Sequence, residues 1–165
     1  MKIELKNLKV NLEFSEETIM FRSDVHIDGM KIFYADNDGR GGCTSVHVFN
    51  PMQKQMWFEV DRYCRDNYDM YFTDKIDELV YAEVERRQRD KFSKKINKDM
   101  QKGIIVSNDE LKSYSIVSWK GKTINDLLSQ QGGETVLKNT VDKYQAQGYK
   151  VYNTNLPRHI LNHVA

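Results

Sequence analysis

The residues best suited to chemistry lie in one loop, Asp36-Asn37-Asp38-Gly39-Arg40-Gly41-Gly42-Cys43-Thr44-Ser45. Three glycines within four positions let the backbone take positive φ and approach a ligand closely. Successive N–H groups in such a loop can form a nest for an anion. Arg40 can add a two-pronged contact to a phosphate, and Thr44 and Ser45 can add hydroxyls. The pattern is neither the Walker phosphate loop nor the dinucleotide-binding glycine fingerprint. A wide hairpin loop that simply needs glycine accounts for the same residues. The candidate ligand set from this loop is Asp38, Arg40, Gly41, Gly42, Cys43, Thr44 and Ser45.

A second set is Arg22, Asp24 and His26, joined by His47 on a later strand. An imidazole beside a carboxylate can act as a general base. Two histidines and an aspartate can also bind a metal, although this spacing fits no standard motif, and a solvated sheet face is the simpler account. Arg22, His26 and His47 are kept as candidate ligand-binding residues. No catalytic or metal-ligating residue is assigned, and no cofactor is expected.

A third set is basic: Arg86, Arg87, Arg89, Lys91, Lys94, Lys95, Lys98 and Lys102, with Glu85, Asp90 and Asp99 among them. On a helix these cations can follow phosphates. The simpler account is a solvated helix with pairs such as Asp90 to Lys94. Aromatic platforms are not interleaved beyond Phe92, so a specific nucleic-acid site is not expected. Cys43 follows two glycines and reads as a small packed residue, Cys64 as core. His159 and His163 are one helical turn apart near the end of the chain, with no carboxylate nearby in sequence.

The elements that must position these residues begin with strands. Leu8, Val10, Leu12 and Phe14 alternate with polar residues, as do Ile19, Phe21, Val25 and Ile27. Period two predicts half-buried strands. Ile3 and Leu5 are out of phase with Leu8, which predicts a break near Lys6-Asn7. Asp28-Gly29 predicts a two-residue hairpin turn, with Val25, Ile27, Met30 and Ile32 on the buried side. A further strand is expected over Cys43 to Phe49.

Helices follow. Pro51 suits a first helical turn, and Met52, Met56, Trp57, Val60 and Cys64 recur at helical spacing. A second helix, capped by Thr73 or Asp74, runs to about Met100, with its later half on the surface. Ile104-Ile105-Val106 reads as a buried strand and Tyr114 to Trp119 as another. Thr123 to Asp126 caps a short helix, Thr135 to Gln147 forms the last one, and Tyr149 to Tyr152 returns as a strand. The expected fold class is α+β: an N-terminal antiparallel β-meander packed by helices, then a smaller α/β part. The break is placed at residues 1–100 and 101–165, within one continuous unit.

Composition bounds the function classes. The 165 residues carry 25 Lys and Arg against 24 Asp and Glu, a net charge of +1, so any charge-driven function must come from a local patch. Two cysteines make no disulfide framework and point to a reducing compartment. No apolar run approaches the roughly 20 residues needed to span a bilayer. The alternating start, Met1-Lys2-Ile3-Glu4-Leu5-Lys6, is unlike a secretory signal. A cytoplasmic protein is expected, with no membrane partner and homo-oligomerisation open.

The segment Asn37-Asp38-Gly39-Arg40-Gly41-Gly42-Cys43, with the preceding strand pair and the following Val46-His47-Val48, resembles a group of small uncharacterised phage and prophage proteins. These look like a β-rich N-terminal unit with an Asn-Asp-Gly-x-Gly-Gly-Cys loop followed by helices, and the likeness covers roughly residues 1 to 65. It brings no catalytic role. It implies an accessory viral protein that counters host defence in the host cytoplasm, by binding a host protein or a nucleotide immune signal. Capture of a small phosphorylated ligand uses the loop and Arg40 most directly. A protein-binding inhibitor and a phosphoesterase or nuclease are the alternatives, the last needing His26, His47, Asp24 or Asp36 to converge.

Overall fold

A computed structural model describes residues 1–161 of the chain. The element order is β1 (Ile3–Val10), β2 (Phe21–Ile27), β3 (Met30–Asn37), β4 (Ser45–His47), α1 (Pro51–Tyr68), α2 (Phe72–Lys102), β5 (Gly103–Ser107), β6 (Ser115–Ser118), α3 (Ile124–Leu128), α4 (Gly133–Ala146) and β7 (Lys150–Val151). The fold is mixed α+β, as expected: an antiparallel four-stranded meander in the order β1-β2-β3-β4, then helices, then a three-stranded sheet in the order β6-β5-β7. The chain forms two compact units, Met1–Gln88 and Arg89–Ala165, with the division inside α2.

In the first unit, Asp28 (φ 49°) and Gly29 (φ 86°) are both left-handed, the geometry of the expected tight turn. Ile27 pairs with Met30 and His26 with Lys31, but Val25 pairs with Phe33. Ile32 is therefore a bulge residue, and one extra residue reverses the inward phase of β3. Phe33, not Ile32, fills the core position at 1% exposure, while Met30 is 65% exposed, so the expected buried face holds for Val25 and Ile27 and fails for Met30. The bulge frees the Ile32 carbonyl, which accepts a 2.7 Å hydrogen bond from Gln53 Nε2 of α1.

The expected break in β1 is present. Asn7 has φ 55° and the β1–β2 register shifts between Lys6 and Lys9. Just beyond it, the Leu8 carbonyl accepts from the Arg87 guanidinium of α2 at 3.2 Å. The strand does not continue through Leu12 and Phe14. Asn11 Oδ1 accepts from the Glu13 amide and Ser15 Oγ donates to the Asn11 carbonyl, closing a short 3-10 turn that leaves Leu12 and Phe14 exposed. β4 is also shorter than expected, and Phe49 beyond it is exposed.

Asn50 caps α1 through the Gln53 amide, with Pro51 in the first turn. Val60 and Cys64 are buried and Met56 and Trp57 pack at the edge of the core, while Met52 is 73% exposed, so the expected packed face fails at its first residue. Asp61, buried in α1, accepts from the Phe72 amide at 2.9 Å and pairs with Arg65 at 3.0 Å, which ties the start of α2 to α1. Phe72, Ile76, Val80 and Val84 then complete the core with Phe21, Val25, Ile27, Phe33 and Ala35. Residues 85–95 of α2 are all exposed, as the thin apolar stripe predicts.

In the second unit, every residue of β5 is buried, which explains its unalternated apolar run. Ile104 and Val106 pack with Ile124, Leu127, Leu137 and Val141, while Ile105 packs with Ile96 and Met100. Thr123 and Asp126 form a full capping box on α3. Asn153 Oδ1 accepts from the Ile105 amide at 2.6 Å, and Asn153 Nδ2 donates to the Gly103 carbonyl at 3.1 Å.

Phe33→Ala should cost about 3–5 kcal/mol in chemical denaturation, as for a buried aromatic. Met52→Ala should stay within about 0.5 kcal/mol of wild type, as for an exposed position.

Candidate functional site

The sheet's pairing sets out a polar lattice on its outer face. One cross-strand row runs Lys9, Arg22, Asp36, Ser45, and the next runs Asp24, Tyr34, His47. A third row holds Glu4, His26 and Lys31. Alternation sends Phe21, Ser23, Val25 and Ala35 inward, so the intervening polar residues must face out. The structure thus brings Arg22, His26 and His47 to one face, and adds Lys9, Tyr34 and Asp36.

A concave groove of about 590 Å³ opens on this face, lined by Lys9, Asn11, Arg22, Tyr34, Asp36 and Asp38 among others. A shallower depression of about 320 Å³ shares Lys9, Arg22 and Tyr34 with it and reaches Asp24. The groove is within the size range of small-ligand sites, about 300–1,000 Å³. Lys9 and Arg22 make no ion pair or side-chain hydrogen bond among the described residues. Asp36 is committed: its Oδ1 is hydrogen-bonded to His47 Nε2. The His47 ring stands between two others, 5.4 Å from Tyr34 and 6.2 Å from Phe49, the latter stacked at 13°.

The rest of the face is internally paired. Asp24 accepts from Lys31 at 2.7 Å and from Asn7 at 2.8 Å, and these contacts, Lys31 first, hold its carboxyl below the usual range. His26 Nδ1 is 3.1 Å from the Gly29 carbonyl, so His26 belongs to the hairpin turn and not to the groove. Among the described residues, no three His, Cys, Asp or Glu side chains converge as a metal-ligand set.

The glycine-rich loop is organised by Asn37, which is 6% exposed. Its Oδ1 accepts from the Gly39 amide at 2.9 Å and from Thr18 Oγ1 at 2.8 Å. Its Nδ2 donates to the Gly42 carbonyl at 2.9 Å and Thr44 Oγ1 at 3.3 Å. The Arg40 amide donates to Asp38 Oδ1 at 3.1 Å and the Gly41 amide to Thr18 Oγ1 at 3.2 Å. Three successive loop amides are therefore engaged within the protein.

The glycines serve close approach. A β-carbon at Gly39 would lie 2.8 Å from the Phe14 carbonyl oxygen, and one at Gly41 2.2 Å from the Glu17 carboxylate. Both residues also have positive φ. Thr44 is buried and donates to Asp77 Oδ1 of α2 at 2.5 Å, so its hydroxyl is turned into the protein. Arg40, Gly41, Gly42, Cys43 and Ser45 are exposed, and Asp38 lies on the groove rim. Burial pushes the Asp77 carboxyl up, the Thr44 hydroxyl opposes that, and Asp74 adds to it. Cys64 is buried, which raises its thiol to about 11. His159 lies 3.2 Å from Glu134 of α4, and His163 is outside the described residues.

Sequence reasoning missed Lys9, Tyr34 and Phe49. The polar phase of β1 between Leu8 and Val10 marks Lys9 as outward. Tyr34 becomes visible only once the Ile32 bulge is known. No family model, curated protein or solved structure matches the chain.

Asn37→Ala should cost about 1–3 kcal/mol, since it strands buried polar partners, and should speed hydrogen exchange at the Gly39 amide. Asp77→Asn should raise the melting temperature at neutral pH. The folded protein holds the Asp77 proton more tightly than the unfolded chain does. Stability from this group is therefore full below the ordinary aspartate value of about 3.9 and lost as pH rises through the raised folded value. The Asp77→Asn advantage should vanish on acidification below about pH 4.

Proposed function

We propose that the protein binds a small phosphorylated ligand of nucleotide type in the groove on the outer sheet face. The observation that carries this reading is the pairing of two uncommitted cations, Lys9 and Arg22, with a ring series, Tyr34, His47 and Phe49, on one face. Arg22 offers a planar fork to a phosphate and Lys9 a mobile point charge. The exposed ring of Phe49 and the imidazole stacked on it offer a flat surface to a base. Arg40 and Asp38, at the loop beside the groove, are the further candidates for ligand contact. Binding without turnover fits the sequestering phage accessory protein that the loop's resemblance implies.

A second reading rests on Asp36 and His47. A carboxylate holding Nε2 fixes the imidazole tautomer and orients the ring, the arrangement a hydrolase uses in a general base. Appearance of a cleaved nucleotide on incubation would favour it.

Calorimetry and thermal shift with a panel of mono-, di- and cyclic nucleotides test the binding reading. A ligand should raise the melting temperature of wild type in proportion to the logarithm of its excess over Kd. Arg22→Ala should weaken binding about tenfold or more, the loss expected for a charge-assisted contact. Equal responses from wild type and Arg22→Ala, or none from either, would remove the groove. A loss with Arg40→Ala alone would move the site to the loop.

A further inference from the structure

The basic part of α2 is internally paired in part, as its sequence allows: Arg86 and Arg87 both hold Glu83. Lys91, Lys94 and Lys98 make no ion pair among the described residues. Nearby cations do find partners: Lys102 pairs with Asp99 at 2.7 Å, and Lys95 lies 5.5 Å over the Tyr114 ring. Lys91, Lys94 and Lys98 stand at i, i+3 and i+7, with Lys95 and Lys102 at i+4 and i+11, so all five share one helix face. All five are exposed. At 1.5 Å of rise per residue the face is about 16 Å long, with steps of about 4.5–6 Å between Lys91, Lys94 and Lys98.

No apolar side chain interrupts this face. Ile96 and Met100 are buried against Ile105, and Phe92 meets Tyr114 edge-on at 6.1 Å. A protein partner is normally held by aromatic or aliphatic anchors in desolvated pockets; the rings nearest this face, Phe92 and Tyr114, are spent on each other and on Lys95. Evenly spaced ammonium groups without an apolar anchor complement a regular polyanion instead. Lysines, as strongly hydrated point charges, contact phosphates without reading base edges.

We propose that the Lys91–Lys102 face of α2 binds the phosphate backbone of nucleic acid, without sequence preference. The site is independent of the outer sheet groove and shares no residue with it. Affinity comes from counterion release, so it falls steeply with salt. If Lys91, Lys94 and Lys98 each neutralise one phosphate of a duplex, they contribute a slope of about −2.7 to log K against log salt, from about −0.9 per phosphate.

The test is fluorescence anisotropy of the full chain with a labelled mixed-sequence DNA duplex across a salt series, with a second duplex of unrelated sequence and poly-glutamate as further probes. The variants are K91Q/K94Q/K98Q and, as a control cation outside both the face and the groove, K54Q on α1. Circular dichroism checks that the triple variant keeps its helix, and K91R/K94R/K98R, which keeps the charges, must bind like wild type. The expected result is low-salt binding to both duplexes alike and a slope less steep by about 2.7 in K91Q/K94Q/K98Q. K54Q should be unchanged. Absence of binding at low salt, equal slopes in wild type and K91Q/K94Q/K98Q, preference for one duplex, or tighter binding to poly-glutamate than to DNA would each overturn the proposal.

Discussion

The N-terminal half depends on one buried amide. Asn37 ends β3 at a place closed to solvent, where the Gly39 amide, the Thr18 hydroxyl and the Gly42 carbonyl all need partners. A side chain with two donors and a two-lone-pair acceptor can meet all of them, and no other neutral side chain of that length can. Through Thr44 the same network reaches Asp77 of α2, so a strand, a loop and a helix are joined by polar contacts inside the protein. The loop therefore starts from a fixed point. With Asn37 held inward, Asp36 and Tyr34 must face out, and both join the lining of the groove.

Much of the fold was legible in the sequence, because its signals are local. Asp28-Gly29 forces a turn whatever surrounds it, Pro51 and Asn50 start a helix, and Thr123 with Asp126 caps one. The errors arose where one residue changed a phase or a polar side chain outbid the sheet. Nothing in Lys31-Ile32-Phe33 announces that Ile32 will be the extra residue, since each is an acceptable strand residue in either register. Its carbonyl is accommodated by Gln53, twenty-one positions away, and that partner is invisible to a local reading. Leu12 and Phe14 kept the alternation of a strand while Asn11 and Ser15 supplied the bonds of a turn.

The site was legible in part for the same reason. Arg22 and His47 follow from alternation along single strands. Their setting beside Lys9, Tyr34 and Asp36 follows from the pairing of four strands, a property of the sheet. The glycines illustrate the opposite trap. Composition predicts permissive backbone, but permissiveness serves a ligand or a neighbouring chain segment equally well. Here the segment from Phe14 to Glu17 occupies the space that side chains at Gly39 and Gly41 would need.

The contact between Arg87 and the Leu8 carbonyl bears on how copies of this chain meet. β1 is an outer strand of its sheet, and a long, flat outer strand is a template on which another chain can add itself. The left-handed residue at Asn7 bends β1, and the guanidinium then occupies an acceptor just beyond the bend. The straight stretch left for such templating is short, and the opposite border of the sheet is the three-residue β4. Runaway fibrillar growth through backbone pairing is disfavoured at both borders, so the protein can keep a polar sheet face exposed without that face's edges becoming a nucleus for aggregation.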